Sequence, residues 1–278
     1  MDQSESLKKI VKNKYGEIAK NAKKNSAANT CCGSGDRSGC GCGQGTNSTD
    51  YSYVGESYSG RVGYNPDADL NLGCGIPTDI ANIKEGDTVV DLGSGAGNDA
   101  FVARSLVGAN GRVIGIDMTE EMINKANENN NKMGYSNVEF VFGEIEKLPV
   151  KDDLADVVIS NCVLNLVPDK NKAFAEIYRV MKRGGHFSIS DIVTTEELPS
   201  SIKSAAEAYA GCVAGALLKD DYLRIIKDAG FVNIRVAKER KITIPDDMLQ
   251  TFLSGEDIAA FREDGVDIIS ITVYGEKS

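Results

Sequence analysis

Tryptophan is absent from the 278 residues, aromatic side chains make up only 6%, and histidine occurs once, at His186. So few rings leave few platforms on which unstacked bases could rest. One imidazole excludes the zinc hydrolase sites that need several, and leaves a single candidate for a His-activated nucleophile. A surplus of positive charge is also missing. The 31 Lys and Arg against 41 Asp and Glu give a net charge of -10 and a pI near 4.8, which argues against an electrostatic grip on nucleic acid or an anionic membrane. No apolar run approaches the roughly 18 residues needed to cross a bilayer. The amino terminus, MDQSESLKKIVKNKYG, lacks an apolar stretch with a small-residue cleavage site, so the expected compartment is the cytoplasm.

What is present is a chain 41% hydrophobic and 26% charged, with mean hydropathy -0.24, able to bury a real core. Its seven cysteines are many for a reducing compartment, and an odd number argues for reactive or ligand thiols over a closed disulfide framework. Residues 1–24 place Leu7, Ile10, Val11 and Ile18 at helical spacing among lysines, the pattern of an amphipathic helix that docks on something else. Residues 25–50 change character to Gly, Ser, Asn, Thr and Cys, including CCGSGDRSGCGCGQG. That composition predicts a flexible, thiol-bearing linker.

From residue 51 to 193 short β-branched runs alternate with helical stretches: DTVVDLG, DAFVARSLV, GRVIGID, TEEMINKANENNNKM, NVEFVFG, ADVVISN, KNKAFAEIYRVMK and HFSISDIV. This is the rhythm of a parallel sheet with helices on both faces. Gly184 and Gly185 stand where they would stop the helix before the last strand. Residues 194–278 break the rhythm with the Ala-rich SIKSAAEAYAGCVAGALL, then DDYLRIIKDAG, FVNIRVAKE and IISITVYGE. They read as a helical lid and the last strands of the sheet. The expected fold is a Rossmann-like, doubly wound, mostly parallel α/β sheet with a C-terminal α+β part covering the site.

The run VVDLGSGAG ends a strand and opens a helix, with Gly93, Ser94, Gly95 and Gly97 in the turn. Glycines there let the backbone approach a ligand closely, and the helix terminus offers free N–H groups. Asp117 closes the next strand, 22 positions after Gly95, where a carboxylate can accept from both hydroxyls of a ribose. The third glycine comes one position early for a dinucleotide fingerprint, and Asp91 precedes the loop. This D-x-G-x-G-x-G pattern resembles motif I of the class I S-adenosylmethionine-dependent methyltransferases, over about residues 87–191. The resemblance implies S-adenosylmethionine as cofactor, its methionine end held by Asp91 and the loop backbone and its ribose by Asp117. It further implies Met118, Glu144 and Ile145 around the adenine and Asn161 facing the cofactor.

Three cysteines lie outside the linker: Cys74 in NLGCGIP, Cys162 in SNCVLNL and Cys212 in YAGCVAGAL. Any one alone reads as a small core hydrophobe. Cys162, however, ends the fourth strand, at the carboxyl edge where open α/β sheets bind ligands. Cys74 lies between Gly73 and Gly75 with nothing bulky to shield its sulfur, and Cys212 is on the segment expected to cover the same edge. Three convergent thiols without histidine make a soft site, better suited to pyramidal arsenic(III) than to tetrahedral zinc. With KYGEIAK, the following CC and a terminal SITVYGEK, these segments look like the arsenite S-adenosylmethionine methyltransferases over essentially the whole chain. That resemblance implies arsenic(III) bound by Cys74, Cys162 and Cys212, and disulfide exchange of Cys74 with Cys31 or Cys32. Cys40 and Cys42 have no assigned counterpart.

Arsenic held by thiolates keeps a lone pair and carries no proton, so methyl transfer needs no general base, in keeping with one histidine. The expected partners are arsenite, methylated trivalent arsenicals and a small thiol or thioredoxin-like reductant, with no nucleic acid and no membrane. Two rival readings share these residues. One is a methyltransferase acting on carbon or oxygen of a small molecule, with structural cysteines; the other is a thiol-rich metal-binding or redox module without turnover.

Overall fold

The computed structural model describes residues 3–28, 54–198, 213, 215–250, 254–263 and 265–278. Helix α1 (Gln3–Ala28) precedes the alternating region β1 (Thr88–Leu92), α2 (Asn98–Val107), β2 (Arg112–Asp117), α3 (Glu120–Met133), β3 (Val138–Phe142), β4 (Ala155–Asn161), α4 (Lys170–Val180) and β5 (Met181–Thr194). Then come β6 (Leu217–Leu218), α5 (Lys219–Asp228), β7 (Val232–Ile242), α6 (Asp246–Leu249), α7 (Gly255–Glu263) and β8 (Ile268–Glu276). They build one sheet in the order β3-β2-β1-β4-β5-β8-β7, with β6 paired to β5. Pairing is parallel from β3 to β5 and antiparallel at β5–β8 and β8–β7. The doubly wound expectation holds. The order turns at β1, so the connections leaving β1 and β4 pass to opposite faces of the sheet and open a crevice at the carboxyl ends of the two strands.

The strands form where the sequence runs apolar on both faces. Val89, Val90 and Leu92 of β1 and Val157 to Ile159 of β4 are fully buried, as a sheet covered on two sides requires. One face packs on α4 and α5 through Phe174, Tyr222, Phe187 and Phe231; the other packs on α2 and α3 through Phe101, Ala100, Ala126 and Phe140. A further cluster caps the carboxyl edge. It gathers Leu249 of α6, Ile258 and Phe261 of α7, and Ile268 of β8 around Cys74 and Cys162. At the far edge β7 carries Arg235, Lys238, Glu239, Arg240 and Lys241, charges that discourage pairing with another chain. Among the described residues no helix is long and apolar enough to cross a membrane.

Four expectations need correction or fall outside. Helix α4 ends at Val180, and Gly184 and Gly185 lie inside β5, where the β4–β5 register shifts between Ala155 and Val157. A Cβ at Gly185 would stand 2.9 Å from the Asp156 carbonyl oxygen, so this pair lets a bulged strand pass and does not stop a helix. Leu217 and Leu218, at the end of the Ala-rich run, are a strand parallel to β5; residues 199–212 and 214 lie outside the described residues, as do residues 29–50 of the expected linker, whose first four residues, 25–28, instead continue helix α1. The docking face of α1 is narrower than its sequence suggests. Val11 and Ala19 are buried, whereas Leu7 and Ile10 are 38% and 57% exposed, because Lys8 reaches Glu144 and Glu146, Lys12 reaches Glu144, and Lys20 reaches Glu121. An ionic seam does the work expected of the two apolar residues. Helices α6 and α7 were not foreseen.

Phe174 contacts Phe187, Tyr222 and Phe231 with ring centroids 6.4, 5.8 and 6.5 Å away. Phe174→Ala should cost about 3–5 kcal/mol, and Val62→Ala, at an exposed position, should stay within about 0.5 kcal/mol. Urea unfolding of the two variants checks this; a loss below about 1 kcal/mol at Phe174 would contradict the packing described.

Candidate functional site

The crevice at the carboxyl ends of β1, β2 and β4 is a cavity lined by Asp91, Gly93, Ser94, Gly95, Asp117, Met118, Glu144, Ile145, Asn161 and Cys162. All but one of the residues singled out for the cofactor therefore meet. The exception is Gly97, whose φ of 100° starts α2 and whose missing Cβ leaves room for Phe101 and Phe140, 2.8 to 2.9 Å from where it would stand. It fixes helix against sheet and does not border the cavity. Gly95 has φ +52° and no atom within 4 Å of a would-be Cβ, so the loop backbone lies open to the cavity. Its N–H donates to Asp117 Oδ2 at 3.0 Å while Thr119 N–H donates to Oδ1 at 2.8 Å.

Among the carboxylates that line this cavity, Asp91, Asp99 and Asp117 are the ones whose acidity burial weakens. Burial, with Asp99 and Asp117 nearby, holds the Asp91 carboxyl well above the usual range. Asp99 is pushed up to about 6 by burial, against the pull of hydrogen bonds from Tyr58 and Asn161. Asp117 is raised by burial and held back by the Thr119 and Gly95 amides. Negative charges crowded in a dry crevice favour a cation beside them. Asp91 Oδ2, Ser94 Oγ and Asn98 Oδ1 are buried without hydrogen-bond partners, and all three residues line the cavity. Unmet acceptors, a donor hydroxyl and an open glycine loop fit a ligand carrying an ammonium group and ribose hydroxyls. Lys8, Val11 and Tyr15 of α1 close one side. Lys8 and Lys12 engage Glu144 and hold its carboxylate below the usual range, at a position that still borders the cavity beside Met118 and Ile145.

Cys162 borders the same cavity at the end of β4. Its N–H donates to the Ser190 carbonyl at 2.7 Å and its φ is +61°, a left-handed conformation that a non-glycine residue adopts at a cost of about 1–3 kcal/mol. Cys74 is fully buried. The flanking glycines do not bare its sulfur, as the sequence suggested; they let the loop press against its neighbours. A Cβ at Gly73 would stand 2.5 Å from Asn161 Nδ2, and one at Gly75 2.6 Å from Ser190 Oγ. Asn161 Oδ1 accepts from Cys74 N–H at 3.0 Å, and the Cys74 carbonyl accepts from Ser270 Oγ at 2.7 Å and Arg240 Nη2 at 3.2 Å. Cys74, Cys162 and Val213 share one apolar cluster. Cys212, one residue before Val213, and Cys31 and Cys32 lie outside the described residues.

The sequence reading missed Tyr58, Asp99, Asp191 and Tyr222. Asp99 had a signal, a carboxylate in the first turn of the helix that the glycine loop opens; Tyr58 had none. Asp191 is fully buried and pushed up to about 7 by that burial, and Tyr222 donates to its Oδ2 at 3.1 Å. Tyr222 is raised by burial, by Asp191 and, further, by negative charge on Cys74 or Cys162. His186 sits in β5 with Nε2 2.5 Å from the Ala81 carbonyl, stacked on Tyr274, a structural place.

The methyltransferase domain family matches residues 83–230. An arsenite methyltransferase of Halobacterium salinarum is 41% identical over 98% of this chain and 67% of its own length. One of Homo sapiens is 39% identical over 64% of this chain and 49% of its own, so this chain spans about half of that relative. Among solved structures, an arsenic(III) S-adenosylmethionine methyltransferase from Chlamydomonas reinhardtii aligns with a TM-score of 0.60 and 37% identity, over 71% of this chain and 65% of that one. With an S-adenosylmethionine-type crevice on its sheet and a match to such a relative along nearly its whole length, the chain belongs to the arsenite methyltransferase family of S-adenosylmethionine-dependent methyltransferases.

Proposed function

We propose that the protein transfers methyl groups from S-adenosylmethionine to trivalent arsenic held by cysteine thiolates. The observation that carries this reading is the meeting of two unlike surfaces at one strand end: Cys162 borders the acidic cavity and belongs with Cys74 to the apolar cluster behind it. In this reading Cys212, the third cysteine implied by the sequence resemblance, completes the ligand set. When bound, S-adenosylmethionine supplies an electrophilic methyl group on a sulfonium. Asp91 and the glycine loop would hold its amino acid end, Asp117 its ribose, and Met118 and Ile145 its adenine.

The chain's own part is positioning. Arsenite loses its hydroxyls to the thiols as water, one As–S bond forming for each As–O bond broken. The thiolate-bound arsenic offers its lone pair without a proton to remove, so the residues need only hold and orient it. After transfer the arsenic is pentavalent. Two electrons return it to the trivalent state as two cysteine thiols join in a disulfide, Cys74 with Cys31 or Cys32, which a small thiol or thioredoxin-like partner reopens. Such a cycle belongs in a reducing compartment, the cytoplasm.

Incubation with methyl-labelled S-adenosylmethionine, arsenite and thiol should yield labelled methylarsenicals. Cys162→Ser and Cys212→Ser should reduce labelling of both arsenite and monomethylarsonous acid to background. Cys74→Ser, or the Cys31→Ser/Cys32→Ser pair, should lose arsenite while keeping much of the monomethylarsonous acid activity, because one carbon already replaces a sulfur ligand. Parental rates in Cys162→Ser on both substrates would refute the ligand assignment.

The carboxylates set a pH dependence. Below pH of about 6 Asp99 carries a proton that an incoming ammonium must displace, and the raised Asp91 acts in the same direction. Affinity for S-adenosylhomocysteine should therefore be level near pH 7 and fall about tenfold by pH 5, with Asp99→Asn flattening the curve. A calorimetric profile independent of pH in the parent protein would contradict this assignment.

A further inference from the structure

Between the acidic cavity and Cys74 stands one side chain that touches both. Asn161 Nδ2 shares its two hydrogens among Asp99 Oδ2 at 3.1 Å, Tyr58 Oη at 2.8 Å and the Gly75 carbonyl at 2.9 Å. Its Oδ1 accepts from the N–H groups of Cys74 and Gly75 at 3.0 and 3.2 Å. The orientation of the amide is fixed by these partners. Two backbone donors demand its oxygen, and a carboxylate and a carbonyl demand its nitrogen. Tyr58 closes the circuit by donating to Asp99 Oδ1 at 2.6 Å.

We propose that Asn161 is a positioning residue that couples the two ligands, so that filling the cofactor cavity seats the Cys74 loop for arsenic and arsenic in turn tightens the cofactor. The proposal rests on the function given above. Asp99 faces the cavity, and an ammonium beside it keeps its carboxylate charged. Charged acceptors make the stronger hydrogen bonds, so Tyr58 and Asn161 are then held most firmly. The Asn161 amide cannot turn without dropping the Cys74 N–H, which lies one bond from the Cα that carries the thiol. Gly73 transmits the same constraint sterically, since its backbone lies against the amide with space for a hydrogen only. Loop and carboxylate are thus joined by a single rigid group.

The test is calorimetry with the full chain, reduced by a phosphine so that no foreign thiol competes. Arsenite is titrated into the protein alone and with saturating S-adenosylhomocysteine, which has both ends of the cofactor and no methyl group to transfer. Arsenite should bind about five- to tenfold more tightly with S-adenosylhomocysteine present, and S-adenosylhomocysteine should gain the same factor from arsenite, as linkage requires. Asn161→Ala should bring the factor close to one. Tyr58→Phe, which keeps the ring and removes one strut, should lower it and serves if Asn161→Ala does not fold. A structural role alone would weaken both ligands and leave the ratio unchanged. Independent binding in the parent protein, or a coupling factor that survives in Tyr58→Phe and Asn161→Ala, overturns the proposal and leaves the function standing. Failure of arsenite to bind at all removes the function and the coupling together.

Discussion

The last turn of β4 governs the geometry of the whole site. There the chain leaves the sheet at Asn161, enters a left-handed conformation at Cys162, and is tied back to β5 by the bond from Cys162 N–H to the Ser190 carbonyl. This twist sends two neighbouring side chains to different tasks. Asn161 bridges the acidic cavity and the Cys74 loop, while Cys162 stands between that cavity and the apolar cluster. Ser190 holds both sides, since its carbonyl takes the Cys162 amide and its hydroxyl, paired with Thr272 at 2.9 Å, forms the floor on which Gly75 rests. Strain at a reactive side chain persists because the parallel β4–β5 pairing fixes the residues that lead into it and the Ser190 carbonyl holds its own N–H.

Electrostatics divides the crevice into two chemistries. Toward β1 and β2 the lining is acidic and has unmet acceptors, an arrangement that favours a positively charged ligand. Toward β5 and the C-terminal helices it is apolar, with thiols and a buried Asp191–Tyr222 pair. A low-polarity surround disfavours thiolates standing alone, so they form when a soft Lewis acid takes their electrons. A sulfonium donor on one side and a soft acceptor on the other agree with this division.

Much of this was legible in the chain itself. The βαβ rhythm, the glycine loop with Asp91 and Asp117, and the position of Cys162 at a strand end all follow from local pattern, because each depends on residues close in sequence. Partners distant in sequence were not legible. Tyr58 and Asp99 lie 103 and 62 positions from Asn161, and no periodicity marks such a contact. The lysines of α1 that hold the Glu144 carboxylate, 136 and 132 positions away, left no mark in the local sequence either. Flanking glycines at Cys74 suggested exposure; they serve close packing, which sequence alone cannot distinguish. Leu217 and Leu218 extended an Ala-rich helical run on paper, but β5 offered them an unpaired edge.

The central claim is that arsenic is bound by protein sulfur at the end of β4. Arsenic K-edge X-ray absorption of the arsenite complex, reduced with a phosphine and carrying Cys31→Ser, Cys32→Ser, Cys40→Ser and Cys42→Ser so that only the site thiols compete, measures this directly. The account predicts three sulfur neighbours in the first shell, falling to two with an oxygen in Cys162→Ser. A first shell dominated by oxygen, or one unchanged by Cys162→Ser, would contradict it.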